Sequence, residues 1–332
     1  MRLPCSRSDQ FIALSRSTGR IDQQLLMPAN TQPTSKGRLS VLCALLIVYT
    51  IWGSTFLAIR LALEGGLLPF TQLAGPRYFL SGLLMYAVLR WRGLSPPTLA
   101  QWRNLCVVSI FLLLLGNGLV VLAERHVASG LAATSVACVP IWMVIFGVLR
   151  GQRSSAREWL GVLIGFAGVV WLNSSSQLLM SRPSTLLLLI LSPMAWALGS
   201  VWSVGRDLPS PLMTAAGEML CGGLLLICFG FLMGERPYYL PSPHGLYAFL
   251  YLCLAGSIIG FTAFVWLLQN VRPSVAGSYA YVNPAVALVL GCWQAHEMLT
   301  WVDIGAISLI LCGVVVLTFA KQSERRHDSA PQ

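Results

Sequence analysis

The stretch SYAYVNPAVALVLG, residues 278–291, is apolar enough for a membrane helix. Yet it carries Asn283 and Pro284 at its centre, with two tyrosines before them. Proline removes a helix hydrogen bond and leaves a carbonyl one turn earlier without its donor. In hydrocarbon that carbonyl must meet protein or a water-filled cavity. A second copy of the stretch says what kind of fold this is. LAATSVACVPIWMVIFG (131–147) aligns with VAGSYAYVNPAVALVLG (275–291), placing Pro140 on Pro284 and Gly147 on Gly291.

Three further pairs extend the match. WGSTFLAIR (52–60) pairs with LGSVWSVGR (198–206), LAGPRYFLSGLLM (73–85) with TAAGEMLCGGLLL (214–226), and REWLGVLIGFAGVVWL (157–172) with VDIGAISLILCGVVVL (302–317). In chain order the four offsets are 146, 141, 144 and 145 residues. The chain is therefore two copies of one unit.

Of the 332 residues, 56% are hydrophobic and only 10% charged, against about 25% charged in a soluble domain. Such a chain has a bilayer as its natural solvent. Runs long enough to cross one fall at 39–62, 69–90, 104–123, 128–149, 157–172, 184–204, 211–233, 246–268, 275–294 and 301–320. Connections such as SPP (95–97), SSSQ (174–177) and LPSPHG (240–245) leave no room for a soluble domain. The ten spans divide into two repeats, 39–172 and 183–320, flanked by tails 1–38 and 321–332. An odd number of spans per half makes the second half enter the membrane from the opposite side. The expected fold is an all-α polytopic membrane protein of ten transmembrane helices in two inverted five-helix repeats. Transporters use this architecture, with substrate near the midplane at the repeat interface.

The net charge of +10 reads as membrane topology, so no nucleic-acid partner is expected. Seventeen Lys and Arg fall on the side of the N-terminus, and three, Arg125, Arg182 and Arg236, on the other. The positive-inside rule then places both termini in the cytoplasm. Residues 1–38 lack a signal-peptide core and read as a disordered tail, with Met27 as an alternative start. Eight of the nine cysteines lie within spans and read as small apolar residues. The four histidines lack metal-ligand spacing, and there is no GxSxG, phosphate loop or HExxH. No catalytic residue, cofactor or metal site is read, and an enzyme is not expected.

Polar and aromatic residues inside the spans single out the candidate site. Ser278, Tyr279, Tyr281 and Asn283 form a polar-aromatic set where the fourth span has Thr134, Ser135, Ala137 and Val139. Tyr279, Tyr281 and Asn283 are cavity candidates, and Pro140 and Pro284 are hinge candidates. The plainer alternative is a structural kink bonded to a neighbouring helix. Two ionisable residues lie deep within spans, Arg77 and Glu218, and they are repeat mates. An ion near the bilayer centre costs roughly 2.5–3.5 kcal/mol on insertion scales, so each must face protein or water. Arg77 would attract an anionic substrate group. Glu218 would take a cation or a proton and is the coupling candidate. Packing against helix neighbours is the alternative for both. Trp52, Trp196, Trp202 and Trp266 lie in spans expected to face the cavity, whereas Trp91, Trp102, Trp159 and Trp301 sit at span ends as interface anchors. Glu124 ends the third span beside Arg125 and His126 and reads as a solvated helix end, with a gate as the other reading. Gly161 and Gly165 form a GxxxG motif for close packing, either within one chain or between two copies in a homodimer.

These residues resemble the drug/metabolite transporter superfamily, in particular its EamA-domain exporters. The likeness rests on WGSTFLAIRLALE (52–64), AGPRYFLSG (74–82), the paired prolines and the Gly-rich last span of each half. GNGLVVLAERHVASG (116–130) and GSIIGFTAFVWLLQNVRPSVAGSYAYVNPAVALVLG (256–291) look closer still to its inner-membrane branch. The resemblance covers about residues 39–320. It implies a central cavity lined by spans one to four and six to nine, with spans five and ten to the side, in a bacterial cytoplasmic membrane. Family members often carry Glu after the fourth and ninth spans. Here Glu297 keeps it, but its repeat mate is Gln152.

The expected function is secondary transport, the export of a small polar or amphipathic metabolite such as an amino-acid-like compound or a drug. Alternating access would be the mechanism and protons the candidate coupling ion. Partners would be that small molecule and membrane lipid. The alternative is a non-transporting sensor or scaffold that keeps the fold.

Overall fold

The computed structural model describes residues 35–127, 129–152, 154–172, 183–237, 240–295 and 301–327. Met27 and the tail before residue 35, the connection 174–177, Glu297 and residues 328–332 lie outside the described residues. Every regular element among those described is helical.

The helices form ten spans. Span 1 is Ser35–Glu64. Span 2 starts as the π-helical segment Pro69–Ala74 and continues as Gly75–Trp91. Span 3 is Leu99–Ser109, a π-helical segment Ile110–Asn117, and Gly118–Ala123. Span 4 is Ser129–Val136 and Val139–Leu149. Span 5 is Ala156–Leu172 and span 6 is Pro183–Ser203. Span 7 is Pro211–Leu232. Span 8 is Pro243–Tyr251, the π-helical segment Leu252–Phe261, and Thr262–Asn270. Span 9 is Pro273–Ala276 and Tyr279–Ala295, and span 10 is Trp301–His327. Among the described residues, five stretches are long and apolar enough to cross a bilayer as single helices: Leu39–Glu64, Leu99–Ala123, Pro183–Ser203, Pro211–Leu232 and Pro243–Asn270. The remaining spans are divided or have a shorter apolar part.

The duplication extends to the caps. Thr98 and Ser242, 144 residues apart, begin spans 3 and 8. The Thr98 hydroxyl accepts from the Gln101 amide at 3.2 Å and that of Ser242 from the Gly245 amide at 3.2 Å. Each satisfies an orphan donor of its helix start. The middles of spans 3 and 8 are both π-helical, a feature that concentrates at functional sites.

The two most extensive helix pairs join corresponding spans of opposite halves, span 2 with span 7 and span 5 with span 10. Small residues set both crossings. A Cβ at Gly223 would stand 2.3 Å from the Phe79 amide nitrogen, and one at its mate Gly82 would stand 2.7 Å from that of Leu220. A Cβ at Gly313 would stand 2.3 Å from the Gly165 nitrogen. The GxxxG face of span 5 is thus used within the chain, against span 10. Without a hydrophobic force between helices in lipid, this close backbone approach is what holds them.

Outward faces are apolar: Leu80, Leu83 and Leu84 on span 2 and Leu224 and Phe231 on span 7 are exposed. Such a surface would aggregate in water and is matched to lipid tails. Below, the proximal side is the face where the even-numbered spans end; the distal side is its opposite.

Candidate functional site

Between the halves lies a cavity of about 60 Å³. Its walls come from span 1 (Trp52, Thr55, Phe56, Ile59), span 2 (Arg77, Tyr78), span 3 (Gly116, Asn117, Val120), span 4 (Val136, Val139), span 6 (Ser192, Pro193, Trp196), span 8 (Gly256) and span 9 (Tyr279, Asn283). Spans 5, 7 and 10 contribute none of these residues.

The π-helical turns shape this space. A π turn breaks the regular ladder and frees carbonyls that need donors inside the membrane. The Trp52 indole N–H donates to the Gly256 carbonyl at 3.1 Å and the Ser81 hydroxyl to that of Cys253 at 3.1 Å. In the other half, the Ser192 hydroxyl donates to the Gly116 carbonyl at 2.7 Å. Span 1 thus serves span 8, and its repeat mate span 6 serves span 3, so each half closes the other's ladder.

Arg77 is 3% exposed. Its Nη2 donates to the Tyr78 hydroxyl at 2.5 Å and to Asn117 Oδ1 at 3.4 Å, and the guanidinium lies 4.4 Å from the centre of the Tyr78 ring. Its Nε and Nη1 have no partner, nor do Trp196 Nε1 and Asn283 Oδ1. Three donor atoms and one acceptor are therefore left open around a single cavity.

Aromatic rings floor the cavity on the proximal side. Trp52 stands 5.5 Å from Trp196, 5.0 Å from Phe264 and 4.7 Å from Tyr279, centre to centre. Beyond them two further cavities line the proximal side. One, of about 260 Å³, is bounded by Arg206, Thr214, Glu218, Val265, Leu268 and Gln269. The other, of about 430 Å³, is bounded by Gln152, Glu158, Gln269, Arg272 and Ser274 among others. There Arg272 Nη1 pairs with Glu158 Oε2 at 3.0 Å, and the Ser274 hydroxyl donates to Glu158 Oε1. This cluster ties the start of span 5 to the start of span 9.

Of the residues singled out by sequence, Trp52, Arg77, Trp196, Tyr279 and Asn283 meet in the central cavity. Glu218 does not: it is buried, with Oε2 unpartnered, and lines the proximal cavity. Tyr281 is fully buried on the opposite face of its helix. Its hydroxyl donates to the Val162 carbonyl at 3.0 Å, and its ring fills the space beside Gly165. A spacing of two turns a helical side chain by about 200°, so Tyr279 and Tyr281 cannot share a face, whereas Tyr279 and Asn283 do. Trp202 lies under the Arg206 guanidinium at 4.3 Å, and Trp266 packs against the core. Pro140 stands at the start of the second segment of span 4, and Pro284 inside Tyr279–Ala295.

Glu124 corrects the reading of a solvated helix end. It is 8% exposed and both carboxylate oxygens lack a partner. Sequence reasoning also missed Asn117 and the π turns, although the glycines of LLLLGNG and LAGSIIG mark the places. It did not single out Glu235 either, whose carboxylate accepts from the Phe70 and Thr71 amides and the Thr71 hydroxyl, at 2.8 Å for both Thr71 contacts. That contact seats the distal end of span 7 on the start of span 2. Among the described residues, no group of His, Cys, Asp and Glu could hold a metal ion.

Comparison with known proteins places this geometry. The EamA-like transporter family matches residues 39–174 and 183–319, one copy per half. The uncharacterized inner membrane transporter YedA of Escherichia coli strain K12 is 39% identical over 84% of this chain and 90% of its own length. An uncharacterized transporter of Archaeoglobus fulgidus is 27% identical over 84% of this chain and 97% of its own. One crystal structure of a protein shares the fold with a TM-score of 0.69 at 21% identity, covering 84% of this chain and 99% of that one. With both repeats matched and a relative this similar along most of its length, the chain belongs to the EamA-like transporter family, a family of membrane transporters rather than enzymes.

Proposed function

We propose that the chain is a secondary transporter. It exports small polar or amphipathic metabolites, amino-acid-like compounds or drugs among them, across the bacterial cytoplasmic membrane with both termini in the cytoplasm. One observation carries this reading: Arg77 Nε and Nη1, Trp196 Nε1 and Asn283 Oδ1 are buried without partners around one cavity between inverted halves. A buried polar group left unpaired costs roughly 1–3 kcal/mol. A molecule with an anionic group for Arg77, a donor for Asn283 and an apolar body for the ring floor would repay those costs. The relative's inner-membrane description and the lysine and arginine distribution support the location and orientation.

Transport would follow from rocking of the halves about this site. The aromatic floor and the Glu158–Arg272 pair would separate on the proximal side while the distal side closes. Glu218, beside the proximal cavity, is the coupling carboxylate in this scheme, loading and releasing a proton as its exposure alternates.

The test is flux in proteoliposomes under an imposed pH gradient, with radiolabelled aspartate, phenylalanine and lysine as probes. The expected result is gradient-driven flux of at least one of them. Arg77→Gln should reduce it on the order of a hundredfold, the loss expected for stripping a buried charge partner. Glu218→Gln should abolish the drive while Glu218→Asp retains part of it. Wild-type flux in Glu218→Gln would remove the coupling role, and undiminished flux in Arg77→Gln would remove the site.

A further inference from the structure

Beyond the distal end of the central cavity stands a buried carboxylate that the transport scheme does not use, Glu124. Glu124 follows the last helical residue of span 3, and its side chain is enclosed although Arg125 and His126 beside it are exposed. Asn117, Val120 and Glu124 succeed one another at spacings of three and four, one face of a helix. The first two line the cavity. Glu124 therefore stands one turn above the substrate space.

The charges that act on Glu124 are Arg77 from span 2 and Arg60 from span 1. Arg60 is half exposed and already paired with Glu64 at 2.8 Å, which leaves Arg77 as the buried counter-charge. From spans 4 and 6, Ala132, Ala133 and Leu189 pack in one apolar cluster with Val120 and Ala123, the residue before Glu124. Neither Glu124 oxygen touches a donor, and Arg77 keeps two nitrogens free. Burial pushes the Glu124 carboxyl well above the usual carboxylate range, against the pull of the two arginines. Acid and base are close enough to interact yet are not joined.

We propose that Glu124 is an internal competitor for the Arg77 guanidinium, releasing it to an anionic substrate by taking up a proton. With the cavity empty and Arg77 turned toward it, Glu124 is a carboxylate paired to the arginine. When an anionic group binds Arg77, that pair separates and Glu124, left in an apolar enclosure, takes one proton from water. Departure of the anion returns the proton. Protonation and anion binding at Arg77 are then linked and must favour each other by the same factor. The inverted repeat gives this arrangement a direction. Offsets of 141 and 144 carry Arg77 to Glu218 and Glu124 to Leu268, so the proximal cavity has an acid beside a leucine where the distal mouth has an acid beside an arginine. The inference rests on the central cavity being the substrate site.

Infrared difference spectroscopy of the full chain in lipid tests it through the C=O stretch of protonated carboxyl groups, with sodium formate as the anion. The expected result is a band that titrates with pH, is lost in Glu124→Gln and persists in Glu218→Gln. Glu124→Asp should move the band rather than remove it, which separates chemistry from failure to fold. Arg77→Gln should shift the midpoint upward by roughly one to three pH units, the effect of removing a nearby opposite charge. Arg77→Lys should restore most of that shift. Formate should raise the midpoint in the wild type and have no effect in Arg77→Gln. An unchanged spectrum in Glu124→Gln, an unmoved midpoint in Arg77→Gln, or the same formate response in both would overturn the proposal. None of these readings needs transport, so absent flux in proteoliposomes would count against the transporter reading alone.

Discussion

Spans 4 and 9 carry the same proline and fold differently around it. In span 4 the helix breaks at Ala137 and Cys138, and Pro140 becomes the second residue of the segment that follows. Proline is tolerated there, because the amide it lacks would have no intrahelical partner. In span 9 the break comes earlier, at Gly277 and Ser278, where the Ser278 amide reaches only to Val275 at 3.2 Å. Pro284 then lies inside the continuous helix Tyr279–Ala295 and leaves the Ala280 carbonyl without its donor. The next difference is chemical. Val139 and Asn283 are repeat mates, and both line the cavity. One presents methyl groups and the other an unpartnered amide oxygen. At the span 2–span 7 crossing the mates Gly82 and Gly223 are the same residue; at the cavity the mates Val139 and Asn283 are not. Duplication built the fold, and divergence at a few lining positions built the site.

The packing half of that comparison predicts the largest effects. Gly82→Leu and Gly223→Leu each drive a side chain into the facing backbone of the span 2–span 7 crossing. Both should cost roughly 3 kcal/mol and reduce the yield of monodisperse protein to a similar extent, as read by size-exclusion chromatography and thermal unfolding in detergent. A large loss from one glycine and none from the other would break the claim that the crossing is symmetric.

The lining half predicts unequal effects. Asn283→Val should lower proteoliposome flux on the order of tenfold, the worth of one buried hydrogen bond, with folding unchanged. Val139→Asn should lower it much less, since no substrate group waits for it there. Equal losses would mean that the two halves contact substrate alike.

Proline substitutions should give the smallest effects and sharpen the hinge assignment. Pro284→Ala can restore a hydrogen bond to Ala280, so it should raise the melting temperature and slow exchange a few-fold, the usual trade between stability and motion. Pro140→Ala should change both by less. Faster exchange in Pro284→Ala would show that the kink does not serve motion.

Much of this was legible in the sequence because hydrocarbon permits few solutions. Apolar runs gave the spans, an odd number per half gave the inversion, and small residues such as Gly165 marked a crossing. The same reading placed Arg77, Trp52, Trp196, Tyr279 and Asn283 together. It failed where direction mattered more than identity. Tyr281 was grouped with Tyr279 although helical geometry turns it toward span 5, where it bonds Val162. Glu124 was judged by the charges next to it, but burial is set by the spans that fold over it. The π turns left no periodic signal in uniformly apolar runs such as FLLLLG (111–116), only the glycines beside them, because periodicity cannot register one extra residue when every face is oily. Glu218 is buried, and it faces the proximal cavity rather than the central one with Arg77, because the inverted repeat sends it toward the proximal side.

The central claim is that the cavity between the halves opens to each side in turn. It is tested most directly by placing a single cysteine at Asn283 in a chain otherwise free of cysteine and adding membrane-impermeant thiol reagents from one face at a time. Labelling from both faces, at rates that shift in opposite directions when the pH gradient is reversed, is the outcome this account requires. Labelling from one face only, at a rate indifferent to the gradient, would contradict it and favour a static membrane protein with a transporter's fold.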